Sequence, residues 1–473
     1  MKNITISSTL LISLLLGIPA VCSASYLGPA EMYNAYAISG FDYGSTDIQG
    51  IIGSGGDINY DGGDVGQTAD PVTNPYSIYS GGNVTLTGHA VKNGGIQADG
   101  MVTTTDTSIA GDINSGSNVT ITRGSMASGA TIDNNGDLTT NNFQVQGTTT
   151  SQGSVSITSG STLGPINATG NVTTSKVGLG GDITSEGQIE IKEGSMASPL
   201  NFTSNGDFKA NNNQIKGQVH TGGTFTGKSG SIVGTVEAVG GRGPGNTYYI
   251  APANMVEGAA ATAPNVTIAA HQSDAIDHGA IADAILNASS TFASMPANGT
   301  VSEPYSNQWL FSGSSDLNIF DIDGSILSLF DSLTFDGLAG AAFVLNVAGT
   351  EINYGLGKAG GFHFLNDLFE FDPSKILFNF FEAEILNISG SLHGTVLAPL
   401  ADVTTDGSGT IFGSLYADNI SGISQINSIY FDGTSQEIGS IAQVPAPATL
   451  SLFGIGLLAL LRRSRKTLAA TKG

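Results

Sequence analysis

The stretch DINYDG at residues 57–62 sets three oxygen-bearing side chains, Asp57, Asn59 and Asp61, at alternate positions ahead of a glycine. That is the first half of a calcium loop, in which such oxygens converge on the ion and the glycine permits a sharp turn. The twelfth position of the loop is Thr68, which cannot supply the bidentate carboxylate, and Asp and Gly serve a plain turn equally well. Calcium is the one cofactor the residues suggest. Gly355, Gly357 and Gly360 have dinucleotide-loop spacing, but such a loop opens a helix inside a βαβ unit. The segments around them read as strands, so a turn is expected. The six histidines, His89, His220, His271, His278, His363 and His393, form no ligand-spaced pair with Glu or Cys. No nucleophile, base and oxyanion donor fall into a motif, and the reading is non-enzymatic.

Charge narrows the partners. Between residues 25 and 444 stand all 39 acidic side chains and ten basic ones, a net of −29. Nucleic acid is disfavoured because counterion release needs clustered Lys and Arg. The one cysteine, Cys22, lies in the leader described below, so hydrogen-bond ladders and apolar burial must hold an exported fold without disulfides.

The elements that position any site come from a repeat. Segments 117–147 and 187–217 align at an offset of 70, sharing GSMAS and NGD. Inside that period, apolar residues recur at Val84, Val102, Val119, Leu138, Val155, Val172, Ile189, Phe208 and Phe225, 17 to 19 residues apart. Two residues on comes a second inward position (Leu86, Ile121, Ile157, Ile191), the alternation of a strand. Further inward positions follow at seven residues (Val91 to Ile232) and at eleven to thirteen (Ile96 to Val236). Three inward sites per turn predict an all-β, three-sided parallel β-solenoid with 17–19-residue coils. Gly111, Gly147, Gly164, Gly181, Gly217 and Gly234, nine residues into their coils, are expected at corners needing positive φ or close backbone approach. The repeat block is read as 81–240. A helix follows over 273–295, with the stripe Ile281, Ile285, Ala288 and Phe292 and with Ser273 as its cap. Strands over 309–433 are expected to add coils or cap an end.

In this frame the residues between and after the inward pair face outward. They are Thr85/Thr87, Thr103/Thr105, Thr120/Thr122, Thr139/Asn141, Ser156/Thr158 and Thr173/Ser175, until Glu190/Lys192 and Lys209/Asn211 interrupt. Columns ~7 Å apart with rows ~4.8 Å apart form a flat hydroxyl and methyl grid. It resembles the faces of ice-binding solenoids. Thr is also favoured on any exposed strand, so ice, polysaccharide or no ligand stay open.

Both ends are read as processing segments. Residues 1–24 resemble a secretory signal, with Lys2, an apolar run and cleavage between Ala24 and Ser25. Residues 444–473 hold an uncharged run to Leu461 followed by Arg462, Arg463, Arg465 and Lys466, an arrangement that halts a translocating chain. Eighteen residues reach ~27 Å, just enough to span a membrane once, either as a transient insertion or as a retained anchor.

A family resemblance joins these parts. YNAYAISGFDYGSTDIQGIIGSGGDI (33–58), the helix, FVLNVAGTEI (343–352), LHGTVLAPLADVT and IFGSLYADNISG (within 392–422) resemble, in order, the choice-of-anchor A domain of bacterial surface proteins, here spanning 25–443. The tail is similar to the PEP-CTERM sorting signal, with Pro445-Ala446-Pro447 carrying Ala where the name-giving Glu stands. The resemblance implies a Gram-negative, polysaccharide-producing host and removal of the tail by an exosortase. The family label itself says little about activity; the leading expectation is a structural protein of the cell surface or biofilm matrix, with matrix polysaccharide as the candidate partner and a ligand-binding module for ice or polysaccharide as the alternative.

Overall fold

A strand that recurs every 17 to 19 residues can bury its inward side chains only by stacking on the next copy of itself, and the repeat block does this from coil to coil. The structure is a computed structural model that describes residues 26–433 except 197, 249, 251–253, 274–275, 329, 356–358 and 365–371. Every named strand pair in the repeat block is parallel and in register, Val84 on Val102, Val102 on Val119, and so on to Phe208 on Phe225. The third side repeats the pattern from Ile96 through Ile113, Ile132, Thr149, Ile166 and Ile183 to Phe202. All of these inward residues are buried, and the fold is the parallel β-solenoid that the spacing predicts.

The sharpest corner lies elsewhere than the glycines suggest. It falls four residues into each coil, where Asp106, Arg123, Asn142, Ser159, Lys176, Glu193, Asn212 and Ser229 all hold φ between 49° and 60°. A left-handed non-glycine residue costs ~1–2 kcal/mol, offset here by ladders on both sides of the bend. The glycines nine residues in mostly serve close approach: a Cβ on Gly181 would stand 2.2 Å from the backbone of Gly164.

Packing alternates between coils. Phe143 pairs with Gly124 on one side and Gly160 on the other, so the ring fills space that its neighbours leave empty. Two residues into the coil, Thr104, Ile121, Thr140, Ile157, Thr174 and Ile191 alternate hydroxyl with methyl. The hydroxyls of Thr104, Thr140 and Thr174 are buried without a partner. Thr140→Val keeps the shape and removes a desolvated hydroxyl, so stability should rise by about 1 kcal/mol, read as a higher urea midpoint with an unchanged slope. In a second buried column the serines are satisfied. The Ser80, Ser115, Ser151 and Ser185 hydroxyls each donate 2.7–2.8 Å to a glycine carbonyl of the preceding coil.

The repeat begins earlier than residue 81. Ala35–Gly44 and Ile58–Val65 are already coils, Ala35–Gly44 pairing with Ile58–Val65 and Ile58–Val65 in turn with Val84–Val91. Beyond the repeat block the chain turns back. Residues 262–272 run against the growth of the coils along the third side, held by side chains of successive coils. Glu237 accepts from Thr262 N, Asn205 brackets Val266, Glu186 accepts from Ile268 N, Gln152 donates to Ala269 O and Asn114 to Gln272 O. Ten residues at ~3.4 Å cover about 34 Å, which matches seven coil spacings of ~4.8 Å, so this strap is nearly fully extended.

The strap ends in the one α-helix among the described residues, His278–Ser294. Ile281, Ile285, Ala288 and Phe292 are buried as their spacing predicts, together with Ser289. The cap is Asp277, accepting from Ala280 N at 2.9 Å; Ser273 lies outside the helix. The helix covers the third side of a second set of coils, held by a buried amide chain. Asn379 Nδ2 donates to Ser289 O and to Asn346 Oδ1 (both 2.9 Å), and Asn346 Nδ2 donates to Phe292 O at 2.9 Å.

The second set grows back toward the first. Leu317–Asp323, Ala342–Ala348, Ile376–Asn379, Thr395–Thr405 and Leu415–Gly422 stack in parallel. Leu415–Gly422 then pairs with Ala35–Gly44, Leu415 on Ala35 and Ile420 on Phe41. Among the described residues the last coil is thus the neighbour of the first, and a single apolar core runs through both sets. No helix among the described residues is long and apolar enough to cross a membrane.

Candidate ligand-binding face

Of the three sides, the third lies under the strap and helix, whereas the first carries the hydroxyl grid. Thr85, Thr103, Thr120, Thr139, Ser156 and Thr173 form one column in cross-strand register, and Thr87, Thr105, Thr122, Asn141, Thr158 and Ser175 the other. Every one is exposed or half-buried. The strand sets their direction: Val84 and Leu86 point into the core, so Thr85 and Thr87 point out.

The columns extend past the predicted stretch. Thr85 is preceded in register by Asn59, Asp42, Ser421, Thr404 and Asn387, so the face crosses the junction between the two sets of coils without a break. Thr404 and Ser421 hydroxyls meet at 3.1 Å, and Asn387 donates to Asn353 at 2.9 Å. Sequence periodicity misses these residues because the longer loops around them hide the coil period. At the far end Glu190 holds Lys192 at 3.1 Å and Lys209 donates to Gln188 at 3.2 Å. Along the adjoining corner, Arg123 clamps Asp106 with both nitrogens at 2.5 and 2.6 Å and holds its carboxyl below the usual carboxylate range.

The calcium expectation takes a different form in three dimensions. Residues 58–65 are a strand, and Asn59 and Asp61 project side by side from its outer surface instead of curling round a point. Asp57 stands on the corner, where its Oδ1 accepts from Asn83 N at 2.7 Å. That contact belongs to a ladder in which Asn83, Asn118, Asp137 and Asn171 each accept from a backbone N–H of the next coil. No group of three or more His, Cys, Asp or Glu placed to hold a metal occurs among the described residues.

The histidines serve separate local roles. His89 is buried, with its ring nitrogens 2.6 Å from the carbonyls of Gly63 and Tyr60. His220 reaches the strap at Thr262 O, and His271, on the strap, lies 3.1 Å from Asp133. His278 meets the Tyr36 hydroxyl at 3.0 Å; burial holds its imidazole below the ordinary value, opposed by Asp99 and Asp277. His393 stacks on Phe412, and His363 lies on the strand Ala359–Phe364. Gly355 takes φ +78° at the end of a strand, as a turn requires; Gly357 lies outside the described residues. So do the sorting residues Pro445, Ala446, Pro447, Arg462, Arg463 and Arg465 and the cleavage pair Ala24 and Ser25.

Comparison with known proteins places this face in context. Residues 134–428 match the model of an ice-binding-like adhesive domain, and residues 443–466 match the PEP-CTERM protein-sorting motif. No curated protein matches the chain. Among solved structures, the chain is similar to an ice binding protein from an Antarctic bacterium of the Flavobacteriaceae. The identity there is 13%, covering 86% of this chain and 99% of that one, with a TM-score of 0.23. It is also similar to the C-terminal domain of a Caldicellulosiruptor kristjanssonii tapirin, at 15% identity over 89% and 100% of the two chains, with a TM-score of 0.26. At these scores neither carries an argument about function. The sorting motif marks an exported surface protein. With more than half of its length matched, the chain belongs to the ice-binding-like adhesive domain family.

Proposed function

We propose that the protein is a non-enzymatic structural component of the cell surface or biofilm matrix, with the first side of its solenoid as the working surface. The observation that carries this reading is the difference between sides: one is sealed by strap and helix, while the hydroxyl-bearing one runs open across both sets of coils. In finer terms, the chain is a choice-of-anchor A protein of a Gram-negative, polysaccharide-producing bacterium. An exosortase-type enzyme cuts its tail near Pro445-Ala446-Pro447. The order of the matching segments from residue 33 to 422 and the basic end after Leu461 support that assignment.

The second reading, a face that binds matrix polysaccharide or ice, is favoured by the strict register of the Thr columns. One comparison tests both. Native protein should begin at Ser25 and lack Lys466 by intact mass, and a chain ending at Val444 should be released to the medium instead of sorted. Recovery of Lys466 in extracellular protein would reject tail cleavage. Replacing Thr103, Thr120 and Thr173 with Lys should leave the melting curve within ~1 kcal/mol of the parent. It should also abolish retention on purified matrix polysaccharide, or shaping of ice, if either is the ligand.

A further inference from the structure

We propose that the first side pairs with the first side of a second copy of this chain, the two solenoids lying antiparallel about a two-fold axis. The argument is the order of charge along the two columns. At one end stand Asp42 in the first column and Asp61 in the second; at the other stand Lys209 in the first and Lys192 in the second. Between them come only hydroxyl and amide residues and Glu190.

A two-fold axis in the plane of the face, perpendicular to the solenoid and midway between the Thr120 and Thr139 rows, returns each column onto itself. Asp42 then meets Lys209, Asp61 meets Lys192, and the Asn59 amide meets the Glu190 carboxylate. Every remaining row sets a Thr, Ser or Asn against another. The charges also fix the register. Sliding by one row toward the junction puts Asp42 on Glu190, and sliding the other way leaves Asp42 and Asp61 opposite Thr226 and Asn211. An arrangement that complements itself in one register and repels or idles in its neighbours is what an isologous interface requires. Ten rows at ~4.8 Å by four strand residues at ~3.3 Å give about 600 Å² per copy, or about 1,200 Å² in total, the lower end of specific interfaces.

The pairing rests on the first side being the working surface, not on any polysaccharide or ice ligand. Sedimentation equilibrium of the mature chain, residues 25–444, should show a monomer–dimer equilibrium at physiological salt. Lys192→Glu with Lys209→Glu should weaken it at least ~10-fold, and adding Asp42→Lys with Asp61→Lys should restore it to within ~3-fold. Because the mature chain has no cysteine, two neutral single variants provide an independent check. Mixing Thr122→Cys protein with Asn141→Cys protein should give a cross-linked heterodimer with a short bis-maleimide, whereas Thr87→Cys alone, five rows (~24 Å) from its symmetry mate, should not cross-link. A chain that stays monomeric at the highest concentrations, charge reversal without effect, or a four-fold variant without rescue each overturn the pairing. A monomer retained on matrix polysaccharide through the same Thr columns would also overturn it, while leaving the proposed function standing.

Discussion

A chain lacking residues 138–171, two whole coils, is expected to fold into a shorter solenoid with nearly parental β-structure, whereas one lacking only 155–171 should be measurably weaker. The difference follows from the two-coil alternation. Removing the pair of coils brings Val119 against Val172, Ile121 against Thr174 and Gly124 against Val177, which keeps a large residue facing a small one. Removing 155–171 alone sets Phe143 directly on Val177, where Gly160 now makes room, and overpacking of that kind costs ~1–3 kcal/mol. Losing nine residues from the same place is the severe case. Deleting 155–163 removes the left-handed corner at Ser159 itself and leaves eight residues, too few to complete a coil, so coils on both sides would lose their partners. Circular dichroism and thermal melting of the three chains should rank them in that order. Equal loss of β-structure in all three would reject the alternation as a stabilising feature. The strap accommodates either whole-coil deletion, since two coils shorten its path by about 10 Å, roughly three residues of slack.

Asn379→Ala should detach the helix. The side chain is fully buried and makes three contacts, donating to Ser289 O and Asn346 Oδ1 and accepting from the Ser289 hydroxyl at 2.6 Å. Truncation strands those partners in a dry interface and leaves a small void, a combination worth ~3 kcal/mol or more. The expected signature is local: protease cleavage within 278–294 and faster amide exchange there, with the coils of the repeat block protected as before. Ser289→Ala removes only one contact and should cost ~1 kcal/mol. If the two variants behave alike, the amide chain is not what holds the helix.

The repeat block was legible because one residue choice is made again in every coil. Val84 through Phe225, the Ile96 column, and the outward Thr pairs all follow from counting, and they land in register. The stripe Ile281, Ile285, Ala288 and Phe292 was readable for the same reason, at helical instead of coil spacing. What escaped has no periodic signal of its own. Arg123, Lys176 and Glu193 are not residues that favour left-handed backbone, and only the ladders above and below hold them there. The strap carries no pattern because its hydrogen bonds come from side chains of the coils it crosses. The alternate oxygens of Asp57, Asn59 and Asp61 show how a two-residue period misleads: a calcium loop and the outer surface of a strand both present every second residue. Nor can any local rule foresee that Leu415 stacks on Ala35, since hundreds of residues separate them.

That last pairing carries a consequence for the order of events during secretion. A chain exported N-terminus first delivers Ala35–Gly44 early, and its coils can accumulate in one direction as they emerge. The opposite edge of that first strand stays open until Leu415–Gly422 arrives, an unpaired β-edge of the kind that invites aggregation. The tail begins about two dozen residues after Gly422. The seam therefore cannot close until nearly all of the chain ahead of the sorting motif has been exported.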